Sequence, residues 1–170
     1  LWCKKNIYNT IEESIKTKLK QKNYNNEIFN IDGFYKTIIS SEICYKLMGA
    51  HNYIDNTFLI SGYLKSIEIL LYELLNKNYK NVIAKDYNGN INLKDSDKLT
   101  LGKIFHFINY CNKNNIFKEK KEIDFLLKKL EQWKDIYRNG YFHKHILSKD
   151  NIDEIRCKTF ELVFFIGKIL

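Results

Sequence analysis

Arg138-Asn139-Gly140-Tyr141-Phe142-His143 places a guanidinium and an imidazole five positions apart, between two amphipathic helical patterns. A guanidinium stays charged and holds phosphate oxygens with paired hydrogen bonds. An imidazole, with a reference pKa of about 6.5, exchanges a proton near neutral pH. Together they are two of the groups needed to cut an RNA backbone without a metal. Spacing alone is weak support. With two arginines (Arg138, Arg156) and four histidines (His51, His106, His143, His145), such a pair arises by chance in roughly one chain of this size in seven. The competing interpretation is a surface arginine meeting the dipole at a helix end, with a histidine in the following loop.

Neighbouring residues extend the basic character, since Lys144 and His145 follow directly. A metal at His143 and His145 would need a third and a fourth ligand, and the nearby sequence offers none, so no metal and no cofactor are expected. His51 and His106 read as packing or capping residues. Cys3, Cys44, Cys111 and Cys157 are far apart, without a C-x-x-C pair. They are expected to be reduced, several of them buried as small apolar residues.

The elements around the motif are legible from periodicity. Ile7, Ile11, Ile15 and Leu19 form one stripe of a first helix, which the polar run Lys22-Asn23-Tyr24-Asn25-Asn26 ends. A second helix spans Phe34 to Met48, with Ile39, Ile43 and Leu47 in register and Gly49 as its stop. A third carries Phe58, Leu59, Tyr63, Ile67, Leu70, Leu71, Leu74 and Leu75, with Asp55 or Asn56 as its cap and Gly62 as its weak point. Residues 77–97 break the pattern around Asn88-Gly89, as either a short hairpin or a plain loop. Helical period returns with Leu101, Ile104, Phe105 and Ile108 behind Asp97 or Thr100. It returns again with Ile123, Leu126, Leu127, Leu130, Trp133 and Tyr137. A last helix, with Asp150 as its expected cap, carries Ile152, Ile155, Phe160, Val163 and Phe164. The expected fold is all-α, an up-and-down bundle of about five to six helices in one domain spanning residues 1–170.

Composition agrees with that class. The chain has 170 residues, 45% hydrophobic and 28% charged, with no proline to interrupt long helices. The chain opens on Leu1, as expected of a domain from a longer protein or of a processed product. No signal-peptide pattern opens it, and its longest apolar runs, such as Ile69-Leu70-Leu71-Tyr72, are too short for a membrane span. A cytoplasmic protein without a membrane partner is expected. The net charge of +8 favours polyanions. It is almost all lysine, however, in a chain rich in asparagine and isoleucine, which also reads as genomic bias. The runs Lys118, Lys120, Lys121 and Lys128, Lys129 read as solvated helix faces, and most of the 12 Tyr and 11 Phe as core.

On an ideal helix, positions five apart differ by about 140° around the axis, so Arg138 and His143 need a local break to converge. Asn139-Gly140 is suited to supply it. Arg-Asn-x-x-x-His on the link between two amphipathic helices resembles the signature of the HEPN superfamily, and residues 61–68 resemble the long upstream helix of several HEPN families. The resemblance covers roughly Asp55 to Leu170.

The resemblance implies a metal-independent endoribonuclease, of the kind found in toxins, abortive-infection proteins and CRISPR-linked effectors. It implies a homodimer in which two motifs face one groove, and RNA as substrate. Arg138 and His143 would be catalytic. Asn139 would orient Arg138 or touch phosphate, and Lys144 and His145 would line the substrate groove. Glu68 is a candidate partner for Arg138. An antitoxin or another defence-system protein is an expected partner. Some HEPN toxins carry a tyrosine two residues beyond the motif histidine, which a partner nucleotidyltransferase modifies. Here that position is His145, which leaves Tyr141 as the alternative target. The rival reading is a non-catalytic HEPN-like module that binds RNA or protein within a larger complex.

Overall fold

The computed structural model describes residues 2–20, 28, 30–48, 57–87, 89–95, 99–136 and 147–170. Six helices account for most of them: α1 (Trp2–Lys20), α2 (Asp32–Met48), α3 (Thr57–Tyr79), α4 (Leu101–Lys113), α5 (Lys120–Trp133) and α6 (Lys149–Ile169). Each packs on the next in sequence, and α6 returns to lie along α3. The result is the expected all-α bundle, with one small addition. No helix among the described residues is long and apolar enough to cross a membrane.

The bundle is organised around α3. Ile60, Tyr63, Ile67, Leu70, Leu71 and Leu75 are all sealed from solvent, because α2, α4 and α6 pack around this helix. Burying one such side chain contributes about 1.5–3 kcal/mol, so α3 is the helix whose removal would expose most core. Phe58, expected in the same stripe, is instead exposed, directly before the buried Leu59. In α1, Ile11 and Ile15 are buried as expected, in a satellite cluster with Ile43 and Phe164.

Helix α2 keeps Ile43 buried and Ile39 half-buried against the core as expected, but it departs from the expected register at its end. Leu47 is 54% exposed, and the buried face also takes in Phe34, Ile38, Ser41 and Glu42. Ser41 lies where α2 and α3 approach closely at Gly62. A Cβ added at Gly62 would stand 2.0 Å from Ser41 Oγ and 3.3 Å from Ser41 Cβ. The Ser41 hydroxyl donates to the Thr37 carbonyl at 2.8 Å, so it is not free to swing away without loss. Gly62 is thus the contact that sets the α2–α3 distance, more than a weak point in a helix. Gly62→Ala should destabilise by about 1–3 kcal/mol, outweighing the helix-propensity gain of up to ~1 kcal/mol. Adding Ser41→Ala should recover part of that loss. Urea denaturation of the single and double variants measures both effects. A Gly62→Ala protein as stable as the parent would contradict the close approach.

Residues 77–97 resolve in favour of the hairpin. Helix α3 continues to Tyr79, and β1 (Ile83–Asp86) then pairs antiparallel with β2 (Gly89–Asn92). Ala84 sits opposite Ile91, both are buried, and β1 packs on α4. Asp86 pairs with Gly89, so Tyr87 stands at the tip and Gly89 begins the return strand. Gly89 has φ of 120°, a value glycine adopts without steric cost.

Two caps differ in outcome. Thr100 caps α4, its side chain accepting from the Lys103 N–H. The α6 cap is Ser148 rather than Asp150. Ser148 accepts from the Asn151 N–H, Asn151 reaches back to the Ser148 N–H, and Asp150 falls in the first turn. Asp55, Asn56 and Asp97 lie outside the described residues. Cys44, Cys111 and Cys157 are free thiols: Cys111 is buried, Cys44 half-buried and Cys157 exposed.

Candidate functional site

Helices α5 and α6 bracket the motif. Phe125, early in α5, meets Phe165, late in α6, edge to face at 5.1 Å between ring centres. The two helices therefore run antiparallel, with the end of α5 and the start of α6 at the same pole. Helix α5 gives way to a wider, π-type turn over residues 134–136, and the chain is described again at Leu147, which is buried. Tyr137, Arg138, Asn139, Tyr141, His143, Lys144 and His145 all lie outside the described residues, as does His51. The geometry of the site is therefore that of its supports.

Those supports are firm on the α6 side. Leu147 anchors the chain in the core and the Ser148–Asn151 box starts the helix. Two turns later, Arg156 joins its guanidinium to both oxygens of Glu42, through Nε on Oε1 and through Nη2 on Oε2 at 2.6 Å. Tyr63 donates its hydroxyl to Glu42 Oε1 at 2.6 Å. Tyr45 donates to Asp153, and its ring lies 5.0 Å from the Arg156 guanidinium. One charged cluster thus ties α6 to α2 and α3. Glu42, only 1% exposed, is at its centre.

The cluster shifts its own protons. The Glu42 contact raises Arg156 further above its usual range, against an opposing effect of burial. Burial, and then the charge of Glu42, holds the Tyr63 hydroxyl far above the usual tyrosine value. Tyr45 is pushed up to about 12 by its hydrogen bond to Asp153 and then by burial. On the α1–α2 contact, Tyr35 donates to Glu12 at 2.5 Å, and burial followed by that bond raises it to about 12 as well. These hydroxyls stay protonated in the folded chain at a pH where unfolded tyrosine, with a pKa of about 10, has ionised. The sign follows: stability is complete below pH 10 and falls as pH rises from there toward 12, because the unfolded state releases protons first. Denaturant midpoints between pH 8 and pH 11 should be flat and then drop. Tyr35→Phe and Tyr45→Phe together should blunt the drop, and a drop of unchanged steepness would refute the assignment.

The α5 side is more open. A cleft of about 300 Å³ lies between α5 and α6 at the same pole. Gln132, Trp133 and Ile136 line it from α5, and Glu154, Lys158 and Glu161 from α6. Lys158 pairs with Glu161 at 2.9 Å, and that bond raises the Lys158 pKa. The cleft wall is thus mixed in sign, unlike the uniformly basic wall a phosphate track would show. Lys129 leans over the Phe125 ring at 4.8 Å, and Lys134 over Phe105 at 5.4 Å. Glu68 forms an ion pair with Lys65 at 3.2 Å on α3.

Sequence reasoning passed over the Arg156–Glu42 pair. A signal was present in both helices. Arg156 falls on the stripe of Ile152, Ile155, Thr159 and Val163, and Glu42 falls between Ile38 and Ile43. A charged residue on a buried stripe requires a partner of opposite sign. The chain was compared with models of protein families, with curated proteins and with solved structures, and none of the three comparisons gives a match.

Proposed function

We propose that this protein is a metal-independent endoribonuclease of HEPN type, acting in the cytoplasm as a toxin or anti-phage defence effector. The observation that carries the reading is the Arg138-Asn139-x-x-x-His143 spacing on the connection between two packed helices of an all-α bundle. The Arg156 contact adds to it. Of the two arginines in the chain, Arg156 is engaged by Glu42, so the guanidinium assigned to phosphate is Arg138.

The chemistry needs two copies. One His143 takes the proton of a ribose 2′-hydroxyl as its oxygen attacks the adjacent phosphorus. The bond from phosphorus to the 5′-oxygen breaks, and His143 of the second subunit protonates that oxygen. Paired Arg138 side chains balance the charge that builds on the phosphorane. Asn139 orients Arg138, while Lys144 and His145 hold flanking phosphates. The products are a 2′,3′-cyclic phosphate and a 5′-hydroxyl. DNA lacks the attacking group and is not a substrate. A homodimer is part of the proposal, and an antitoxin or other defence-system protein is the partner expected to hold the activity in check.

Purified protein incubated with single-stranded RNA and EDTA tests this. Cleavage leaving 2′,3′-cyclic phosphate ends is the expected result, with a dimer by light scattering. RNA bound but left intact would favour the non-catalytic module instead.

A further inference from the structure

The outer face of α4 and the hairpin tip form a second cleft, of about 390 Å³. That is within the roughly 300–1,000 Å³ range of ligand clefts. Lys85 and Tyr87 line it from the hairpin, and His106, Asn109, Tyr110 and Lys113 from α4. These α4 positions lie within one stripe about 100° wide, which Lys103 continues by another turn. Among the described residues, Lys85, Lys103 and Lys113 form no ion pair. The one carboxylate in the cleft, Asp86, accepts the Tyr87 backbone N–H at 2.6 Å.

Tyr87 is the side chain the fold does least to explain. It is fully exposed at the hairpin tip, although Ala84 and Ile91 already anchor that hairpin to the core. Unpaired lysines beside an accessible aromatic ring are what a single nucleic-acid strand requires, namely charge for its phosphates and a flat face for its bases. Phe105, whose ring meets His106 edge to face at 5.9 Å, lies beneath Lys134 at the end of α5, four residues before Arg138.

We propose that this cleft is an auxiliary binding site for single-stranded RNA, with Tyr87 stacking on a base and Lys85 and Lys113 holding the flanking phosphates. The choice of RNA as occupant rests on the nuclease reading. The site itself rests on the geometry of α4 and the hairpin.

The test uses His143→Ala protein and a fluorescein-labelled oligouridine of about ten nucleotides, read by fluorescence anisotropy. Tyr87→Ala in that background should weaken binding roughly five- to hundredfold, and Tyr87→Trp should restore it. Removing Lys85 and Lys113 together should lower the slope of log affinity against log salt by about 1.4. Lys168→Ala, at the exposed end of α6, controls for loss of a surface charge away from the cleft and should leave affinity within about twofold. Oligouridine binding that is absent, or unchanged by Tyr87→Ala, or reduced no more by the double-lysine variant than by Lys168→Ala, overturns the site. These results are separate from cleavage. Tyr87-dependent binding by a wild-type protein that never cuts RNA would keep the site and refute the nuclease, and cleavage without Tyr87-dependent binding would do the reverse.

Discussion

Glu42→Ala should cost about 3–5 kcal/mol of folding stability, a large loss for a single substitution. The reason is the company Glu42 keeps. It accepts both donors of Arg156 and the hydroxyl of Tyr63 while almost wholly removed from water. Truncating it leaves the buried Tyr63 hydroxyl and the half-buried Arg156 guanidinium without their acceptor. For a chain of this size each kcal/mol corresponds to about 2–4 °C, so the melting temperature should fall by about 6–20 °C. Glu42→Gln should be nearly as harmful, since it keeps the volume and loses the charge. Replacing the whole cluster is the discriminating experiment. Glu42→Leu, Arg156→Met and Tyr63→Phe together remove every member, and the triple variant should be far more stable than the sum of its parts. Calorimetry or urea melts of the set decide it. Additive losses would mean the three residues do not act as one unit.

His143→Ala should abolish RNA cleavage, with a fall of at least about a hundredfold, because it removes both the base and the acid of the proposed composite site. Arg138→Ala should have a comparable effect through loss of charge stabilisation at the phosphorane. Neither should shift the melting temperature appreciably, since the proposed site uses both side chains for chemistry and not for packing. That contrast with Glu42→Ala separates a chemical loss from a structural one. Cleavage by the parent should also decline on both sides of neutral pH, because one histidine must be neutral while its counterpart is charged. In cells, the parent protein should arrest bacterial growth and the His143→Ala form should not. Full cleavage by His143→Ala protein would end the nuclease proposal.

The register of the helices shows where one-dimensional reading succeeds. Ile67, Leu70, Leu71, Leu74 and Leu75 recur at helical period and all are buried, because an apolar stripe that repeats every three to four residues has one way to leave water. The same logic located α1, α4, α5 and α6 and placed the motif on the α5–α6 connection. It failed where burial depended on a neighbour. Leu47 has the spacing of a core residue and remains exposed, while Glu42 lacks the character of one and is buried, because Arg156 arrives 114 residues later in the chain to neutralise it. Gly62 reads as a weak helical position in sequence, and only the fold sets Ser41 where its Cβ would be. Asp150 and Ser148 are both acceptable caps by type, and only the reach of Asn151 back to the Ser148 N–H decides between them. Tyr87 gave no sign at all, since a tyrosine beside Asn88-Gly89 reads equally well as strand or loop.

Periodicity, the absence of proline and the Arg138–His143 spacing were properties of the chain in one dimension. They determined an all-α bundle and the residue types available for phosphate chemistry. Which arginine is committed to the core, how closely α2 approaches α3, and which lysines share a cleft with Tyr87 were decided only on folding. Those outcomes depend on pairs far apart in sequence, and the energy of a buried charge or a close helix contact is set by the atom on the other side.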